Sequence, residues 1–315
     1  MYAFIVNPEA GGGRAISVFS KIEKSQLYKD IDHAPFFTTY SGHAEEIVKE
    51  LIATYNDILT NVIVIGGDGT LHEVVNGLKD YEIPVSFIPG GSGNDFAKGC
   101  SIHGDPLEIL RRILSGTDGF PYWLGKYTVD NKDPRRFANN IGFGFDAEIT
   151  KVANESAHKR VLNKLGIGKL SYVIAILQVL FQFKPMHIEI EVNGEKKTIH
   201  NCWMLTITNH PYYGGGMKII PDAIIQPSTF PILVIHSISK WKILGLFLTV
   251  FTGKHVTYKE VELMEATKLT IHAADQITYQ VDGETNTCQS CVITKDAHAL
   301  QIMGPNRKTY KQVDL

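Results

Sequence analysis

An aspartate enclosed by glycines is the first feature of the chain that suggests chemistry. In VIVIGGDGTLHEVVNG, residues 62–77, Asp68 lies inside the pentapeptide GGDGT of residues 66–70. The valine- and isoleucine-rich run before it predicts a strand, and the spacing of apolar residues after it predicts a helix. A glycine turn between the two brings bare backbone amides to the positive end of a helix. This stretch is therefore a candidate phosphate-binding turn.

Two further glycine-rich stretches follow other predicted strands. Residues 7–14 (NPEAGGGR) follow the apolar run of residues 3–6, and residues 89–95 (PGGSGND) follow the run of residues 85–88. In a parallel sheet, strands that end in such turns bring them to one edge, where ligand crevices form. The first stretch alone is equally explained as an ordinary turn into the helical pattern of residues 15–23. Together the three predict a phosphate site with neither a Walker-type lysine nor the spaced glycines of dinucleotide folds.

Two acidic residues have both a chemical and a structural interpretation. Asp68 beside a phosphate would suit magnesium, which prefers carboxylate, water and phosphate oxygens. Its alternative is a turn aspartate that caps the following helix. Glu284 ends the stretch DGE of residues 282–284, and Asp-Gly between two strand-like runs predicts a hairpin. Both interpretations of Glu284 hold together if the hairpin tip reaches over a bound nucleotide.

The elements that must position these residues change character near residue 125. Before it, apolar runs alternate with helical patterns at residues 43–54, 71–78 and 106–115, which predicts a parallel sheet flanked by helices. From residue 123 to residue 293 strand-like runs dominate, at residues 187–192, 202–208, 232–236, 268–272 and 277–281. These runs predict a largely antiparallel second domain.

Composition limits the classes of protein that fit. A chain of 315 residues with 44% hydrophobic content can form one large domain or two ordinary ones. The formal net charge of -2 provides no general attraction to nucleic acid, and no nucleic-acid partner is expected. No export signal is visible and the four cysteines are scattered, so a cytoplasmic location is expected. Cys288 and Cys291 have the spacing of half a zinc site, but no second pair follows, which favours structural thiols.

Two apolar segments raise the question of a membrane. Residues 170–183 (LSYVIAILQVLFQF) and 241–251 (WKILGLFLTVF) are both shorter than the roughly 20 apolar residues of a spanning helix. Neither is expected to cross a bilayer. Each is either a buried helix, or a helix that lines an acyl-chain cleft or lies on a membrane surface.

The chain resembles the diacylglycerol kinase catalytic-domain family, the bacterial lipid kinases related to sphingosine and ceramide kinases, along nearly its full length. The motifs that carry the resemblance are NPEAGGGR from Asn7, GGDGTLHEVVNG from Gly66, IPGGSGNDFAKG from Ile88, GFGFDAEI from Gly142, TNHPYYGGGMKIIPDA from Thr208, TGKH from Thr252 and VDGE from Val281. NAD kinases and phosphofructokinases share GGDGT, so the ordered set is the specific signal. The resemblance implies a nucleotide domain of their fold at residues 1–124, joined by residues 296–315, and an antiparallel β-sandwich for the lipid substrate at residues 125–295.

The resemblance also implies ATP and Mg²⁺. The positions that match the family's nucleotide-binding residues are Asn7, Pro8, Glu9, Ala10, Gly11, Thr38, Gly66, Gly67, Asp68, Gly69, Thr70, Glu73 and Ser92. Glu284 matches the proposed proton acceptor, and Asp68 would hold the metal and assist proton transfer. Asn94 and Asp95 match residues on the substrate side, with capping of the helix from Phe96 as the alternative. His43 matches a position near the nucleotide, whereas His72 is expected to have no chemical role.

The sequence departs from the family at one point. Relatives commonly carry an Asp-Gly pair after Pro221-Asp222-Ala223 that helps to form a structural magnesium site, but here residues 224–228 read IIQPS. We therefore expect that site to be missing.

The expected function is phosphorylation of a lipid hydroxyl at a membrane surface, with diacylglycerol as one candidate acceptor and a homodimer left open. The alternatives are a soluble-metabolite kinase of the NAD-kinase type and a lipid-binding or regulatory protein that has lost catalysis.

Overall fold

Six strands form the sheet of the first domain in the computed structural model, which describes residues 1–116, 119–155 and 177–306. They are β1 (Tyr2–Val6), β2 (His33–Phe37), β3 (Asn61–Gly66), β4 (Val85–Pro89), β5 (Phe120–Tyr122) and β17 (Leu300–Met303). Their order is β2-β1-β3-β4-β17-β5, and every pair is parallel except β17 with β5. The chain therefore leaves this sheet after β5 and returns to it with β17.

Helices of the first domain pack on this sheet. They are α1 (Arg14–Glu23), α2 (Gln26–Lys29), α3 (His43–Tyr55), α4 (Asp68–Leu78), α5 (Asp95–Gly99) and α6 (Pro106–Ser115). Four of them, α1, α3, α4 and α6, lie where the amphipathic patterns predict helices. The bounds of α6 agree with the prediction because its end signals are local: the Asp105 side chain accepts from the Leu107 amide at 2.9 Å, and Gly116 ends the helix in the left-handed region.

Among the helices of the first domain, the start of α4 differs most from the prediction. The predicted turn at residues 66–70 is mostly helix, since β3 ends at Gly66 and α4 begins at Asp68.

The second domain is built from antiparallel strands. Nine of them share one sheet: β6 (Gly125–Val129), β7 (Arg135–Phe137), β8 (Asn140–Gly144), β9 (Met186–Val192), β10 (Glu195–Thr208), β13 (Phe230–His236), β14 (Val261–Ala266), β15 (Lys268–Val281) and β16 (Glu284–Lys295). A small hairpin, β11 (Tyr212–Tyr213) with β12 (Met217–Lys218), stands apart.

Two long strands change partners along their length and fold this sheet over. The first half of β10 pairs with β9 and the second half with β8 and β13, with a register shift between Ile199 and Cys202. Strand β15 likewise passes from β9 to β8, with a shift between His272 and Ile277. The two runs predicted at residues 268–272 and 277–281 are thus one bent strand. Such bends let one sheet enclose a core on its inner face.

Alternation along the strands separates two cores. Leu205 and Val234 face the enclosed core, which also contains Cys202, Cys288 and Cys291. The neighbouring residues Met204, Leu233 and Ile235 face a separate cluster under helices α7 (Phe145–Glu155) and α8 (Lys240–Thr249). All four cysteines are buried and free, in agreement with structural thiols.

Both apolar segments contain helix in the part of the chain that the structure describes. The first, at residues 170–183, lies partly outside the described residues; its residues 177–182 are helical. The second forms α8 and continues as the 3₁₀ turn Val250–Thr252. Across the described residues, no helix combines the length and apolarity that crossing a bilayer requires.

Candidate active site

An open cavity of about 430 Å³ lies where the carboxyl ends of β1, β3 and β4 meet. Its lining comprises Asn7, Glu9, Ala10, Gly11, Thr38, Thr39, Tyr40, Ser41, Gly67, Gly69, Thr70, Glu73, Gly91, Ser92 and Glu284. Three predicted nucleotide-site residues, Pro8, Gly66 and Asp68, are not part of the lining, although their chain neighbours are. The structure therefore brings most of the predicted set into one cavity, together with Glu284 from the second domain.

Close backbone packing explains the glycines of this cavity. A Cβ atom on Gly11 would lie 2.2 Å from the Gly90 carbonyl oxygen, and Gly11 also has a φ of +63°. A Cβ atom on Gly91 would lie 2.5 Å from the Cα atom of Gly67. The three turns thus touch one another through bare backbone, which only glycine permits. The Asn7 side-chain amide adds a hydrogen bond to the Thr70 hydroxyl at 3.0 Å.

The Asp68 carboxylate points away from its own helix. It accepts hydrogen bonds from the backbone amides of Asp95, at 3.1 Å, and Phe96, at 3.0 Å. The predicted alternative, a cap on α4, is therefore wrong, because the carboxylate caps α5 instead. Burial, together with the negative charges of Asp95 and Asp282, raises the pKa of Asp68 to about 6 despite these two amides.

Asn94 and Asp95 have different roles, and neither side chain caps α5. Asn94 adopts the left-handed region and closes its own loop, because its side-chain amide both accepts from and donates to Gly91 at 2.9 Å. The buried Asp95 carboxylate accepts from the Gly215 amide at 2.7 Å and from the Lys98 ammonium at 3.1 Å. Asp95 thus joins the first domain to the glycine loop between β11 and β12.

Arg14, the last residue of the first glycine-rich stretch, also binds within the protein. Its guanidinium donates to the Gly91 carbonyl at 3.0 Å and does not line the cavity.

A two-residue hairpin presents Glu284 to the cavity. Val281 pairs with Glu284, while Asp282 and Gly283 have φ values of 49° and 97°, so the predicted Asp-Gly hairpin is confirmed. Glu284 itself is exposed.

Asp282 anchors this hairpin to both domains. Its carboxylate accepts from the three consecutive backbone amides of residues 138–140 at 2.8 to 3.1 Å, and from His72 Nδ1 at 2.9 Å. Burial alone would lower the pKa of His72, but the hydrogen bond to Asp282 and its negative charge outweigh burial and raise it. His72, expected to have no role, therefore links the helix of the glycine turn to the hairpin that carries Glu284.

A second buried chain of polar groups leads to Asp68. Burial lowers the pKa of His210 to about 4, so its ring is neutral. Since Nδ1 accepts from the Tyr212 amide at 3.3 Å, Nε2 carries the proton and donates to the side-chain oxygen Oδ1 of Asn139 at 2.9 Å. The side-chain nitrogen Nδ2 of Asn139 in turn donates to the Asp68 carboxylate at 3.4 Å. The sequence offered no signal for this chain, because its members come from distant segments.

One wall of the cavity is closed by the N-terminus of α3. The Glu73 carboxylate accepts from the amides of Gly42, at 2.8 Å, and Ala44, at 3.0 Å, and burial raises its pKa. Tyr40 lines the cavity, and its ring stacks on the ring of His43 with centroids 4.5 Å apart and planes inclined by 14°. A stacked, exposed aromatic ring beside a phosphate-binding turn suits a nucleobase.

A narrow apolar cavity of about 50 Å³ lies under α7 and α8. The buried Asp146 carboxylate is its acidic lining group, held by the Tyr213 hydroxyl at 2.8 Å. Its Oδ1 atom has no hydrogen-bond partner, and burial raises its pKa to about 7. The same helix α7 reaches the other site, since the Asn154 side chain donates to the Gly283 carbonyl at 3.0 Å. Asp146 lies within the motif GFGFDAEI of residues 142–149, and no pattern in the sequence indicates a role for it.

The donor groups fit a nucleotide better than a metal held by protein alone. In the part of the chain that the structure describes, no three histidine, cysteine, aspartate or glutamate side chains cluster as a metal site. Backbone amides and hydroxyls, such as those of Gly11, Gly67 and Thr70, suit phosphate oxygens. The Oδ2 oxygen of Asp68 accepts from the Asp95 amide and retains a second lone pair, so Asp68 can still contribute to a magnesium ion that the phosphates mainly hold.

Residues 224–228 form the loop in which the resemblance predicts an Asp-Gly pair that this chain lacks. Ile225 packs against the core of the first domain, and the Gln226 side-chain amide donates to the Thr229 hydroxyl. Absence of the structural magnesium site stays a prediction.

Comparison with known proteins agrees with this architecture. Residues 1–119 match the profile of the diacylglycerol kinase catalytic domain, and residues 139–304 match the YegS C-terminal NAD kinase beta sandwich-like domain. A Bacillus subtilis protein named "Putative lipid kinase YtlR" is 35% identical over 89% of this chain and 92% of its own length. The chain belongs to the diacylglycerol kinase catalytic-domain family. This membership confirms the family and the fold class expected from the motifs.

More distant relatives share the full architecture. A diacylglycerol kinase of Mycobacterium tuberculosis is 26% identical over 96% of this chain and 94% of its own length. A crystal structure described as a putative diacylglycerol kinase from Bacillus anthracis superposes with a TM-score of 0.74 at 21% identity, covering 98% of this chain and 96% of the other. At that identity, the superposition establishes the fold of this family member.

Proposed function

We propose that the chain transfers the γ-phosphate of ATP to the hydroxyl of a lipid alcohol such as diacylglycerol. One observation carries the proposal: Glu284, from the second domain, lines the same cavity as the glycine-rich turns of the first. Phosphoryl transfer requires phosphate binding and a proton acceptor at one place, because its catalysis consists mainly of positioning and charge neutralisation.

The groups that would bind the phosphate donor suit a nucleoside triphosphate. The amides of Gly67 and Gly69 lie at the start of α4, where the helix dipole favours negative charge. Asn7 and Thr70 add polar side-chain groups, and the exposed ring of Tyr40 offers a stacking surface for the base. Magnesium bound by the phosphates, with Asp68 as its protein ligand, would neutralise the charge of the transferred group.

The acceptor side needs a group that removes the hydroxyl proton. The hairpin presents Glu284 to the cavity, and its carboxylate can accept a proton. Asp282 holds that hairpin in place. A carboxylate in this position acts as general base when the hydroxyl lies within hydrogen-bond reach. The Asp68 carboxylate also holds the start of α5 through the backbone amides of Asp95 and Phe96.

A lipid acceptor is favoured by the relatives and by the apolar wall under α7 and α8. That wall surrounds the polar groups of Asp146, Tyr213 and His255, and its cavity of about 50 Å³ would have to widen to admit an alkyl chain. Helix α7 links this cavity to the hairpin of Glu284. The relatives named diacylglycerol kinase or lipid kinase indicate the same substrate class.

The test is a phosphorylation assay with labelled ATP, magnesium and a bacterial lipid extract, followed by mass spectrometry of the product. We expect a phosphorylated lipid, formed about 10²–10⁴-fold more slowly by the Glu284→Gln variant. Glu195→Gln is the matched control, because Glu195 follows Asn193-Gly194 in a hairpin of the same conformation at the other end of the domain sheet.

Phosphorylated NAD without a lipid product would replace the proposal with a soluble-metabolite kinase. Nucleotide binding without transfer to any acceptor would instead favour a protein that has lost catalysis.

A further inference from the structure

Helix α8 carries large apolar side chains on two opposite faces. Ile243, Leu246 and the following Val250 are buried and line the narrow apolar cavity. Trp241 and Leu248, by contrast, are 73% and 79% exposed. An α-helix advances by about 100° per residue, which places these two sets on opposite sides of the axis. A helix that is apolar all round is normally covered on all sides.

The exposed side extends beyond α8 into a patch. We define the α8 outer face as Trp241, Leu248, Phe251 and Phe181, of which Phe251 and Phe181 are 61% and 58% exposed. The rings of Phe181 and Trp241 meet edge to face, with centroids 6.3 Å apart. Phe181 and Trp241 are therefore in contact, and Leu248 and Phe251 lie further along the same side of the helix. Groups of exposed apolar side chains on soluble domains mark interaction sites.

Basic residues flank this outer face. Lys240 and Lys242 stand on either side of Trp241, and the exposed Lys254 follows the end of α8. Lys240 donates to the Phe181 carbonyl at 2.7 Å, and Lys242 forms an ion pair with Glu260 at 2.7 Å while its side chain stays 52% exposed. Tryptophan between lysines is the composition that suits the headgroup region of an anionic membrane.

We propose that the α8 outer face docks on the surface of an anionic lipid bilayer. The proposal rests on the proposed function, because docking would place the wall of the apolar cavity against the layer that holds a lipid acceptor. Apolar side chains would enter the boundary between headgroups and acyl chains, and the lysines would face the anionic headgroups. A second copy of the chain fits this face less well, since an isologous contact would bring the same lysines together.

Vesicle partitioning tests the docking without requiring catalysis. The purified chain is floated with vesicles of phosphatidylcholine alone or mixed with phosphatidylglycerol, at low and high salt. We expect binding to the mixed vesicles that weakens with salt, and a blue shift of tryptophan fluorescence that Trp241→Phe removes.

The double variant Leu248→Glu/Phe251→Glu should partition at least about tenfold more weakly, because two apolar side chains no longer leave water. Ile58→Glu/Tyr81→Glu is the matched control, because it introduces the same two charges at apolar residues that are 55% and 47% exposed on the first domain. It should partition as the unmodified chain does. Equal partitioning of all three proteins, or no binding to mixed vesicles, overturns the proposal.

A kinase assay separates failure of the surface from failure of the function. With lipid in detergent micelles the double variant should retain turnover, and with vesicles it should lose turnover. Docking without phosphorylation of any lipid refutes the proposed function and leaves the surface standing. Phosphorylation by a chain whose double variant docks normally refutes the surface. A dimer that the double variant dissociates, with unchanged vesicle binding, would identify a second copy as the occupant.

Discussion

Replacing Asp282 with asparagine should weaken both the fold and the active-site hairpin. One carboxylate oxygen accepts the amides of Asn139 and Asn140, and the other accepts the amide of Ala138 and His72 Nδ1. Asparagine keeps one accepting oxygen and turns an amino group toward two of these four donors. Two hydrogen bonds to a charged group are lost, at about 1.5–3 kcal/mol each, which amounts to about 3–6 kcal/mol.

The loss is a large fraction of the whole stability of a domain, which is about 5–15 kcal/mol. It should appear as a lower urea midpoint in unfolding followed by tryptophan fluorescence. Because Glu284 lies two residues further along the same hairpin, turnover should fall as well. Nucleotide affinity should change less, since the glycine turns belong to the first domain.

Asp130→Asn is the control for this substitution. The Asp130 carboxylate also accepts two backbone amides, from Gln289 at 3.0 Å and Ser290 at 2.9 Å, but it lies near the surface, where water can replace them. We expect a clearly smaller loss. If Asp282→Asn and Asp130→Asn shifted the midpoint equally, or if Asp282→Asn cost less than about 1 kcal/mol, the buried anchor would carry no special energy and the reasoning would be refuted.

Three further outcomes follow from the site. Glu284→Gln should lower kcat by about 10²–10⁴-fold with nearly unchanged nucleotide affinity, whereas Glu195→Gln should leave kcat unchanged; a near-normal kcat for the first variant would exclude Glu284 as the base. Gly91→Ala should lower the free energy of unfolding by about 1–3 kcal/mol and weaken nucleotide binding, because its Cβ would lie 2.5 Å from a backbone atom. The control Gly245→Ala on α8 places its Cβ in open space and should lower neither quantity. Urea unfolding measures the first quantity and titration calorimetry the second. Because the pKa of Asp146 is raised to about 7, the folded chain retains a proton that the unfolded chain releases near pH 4. The stabilisation from this proton is complete below about pH 4 and disappears as the pH rises through about 7. Relative to Asp146→Asn, the unmodified chain should therefore lose roughly 4 kcal/mol of unfolding free energy over that range, and parallel pH profiles would contradict the buried acid.

Local signals account for what could be predicted from the sequence. Helix α6 was predicted to the residue because Asp105, Pro106 and Gly116 mark its ends through contacts within a few residues. The glycine-rich stretches were predicted to converge because parallel strands share a carboxyl edge, and the cavity at the ends of β1, β3 and β4 has that arrangement. The hairpin at Asp282-Gly283 was also predicted from a local signal, since these two residues by themselves favour the turn.

The direction of side chains across the two domains was decided only by tertiary structure. Asp68 was predicted to face the nucleotide or its own helix, but the amides it binds belong to α5, residues 95 and 96. His72 became a partner of Asp282 because folding brings together groups that are 210 residues apart. A hydrogen bond between distant segments leaves no periodicity or spacing in the chain, since its geometry exists only after both domains have packed. The sequence by itself therefore determined the family, the edge of the sheet at which the glycine-rich turns meet, and the residues that form those turns. Packing determined which carboxylates face the cavity and which ones hold the surrounding hairpin and turns in place.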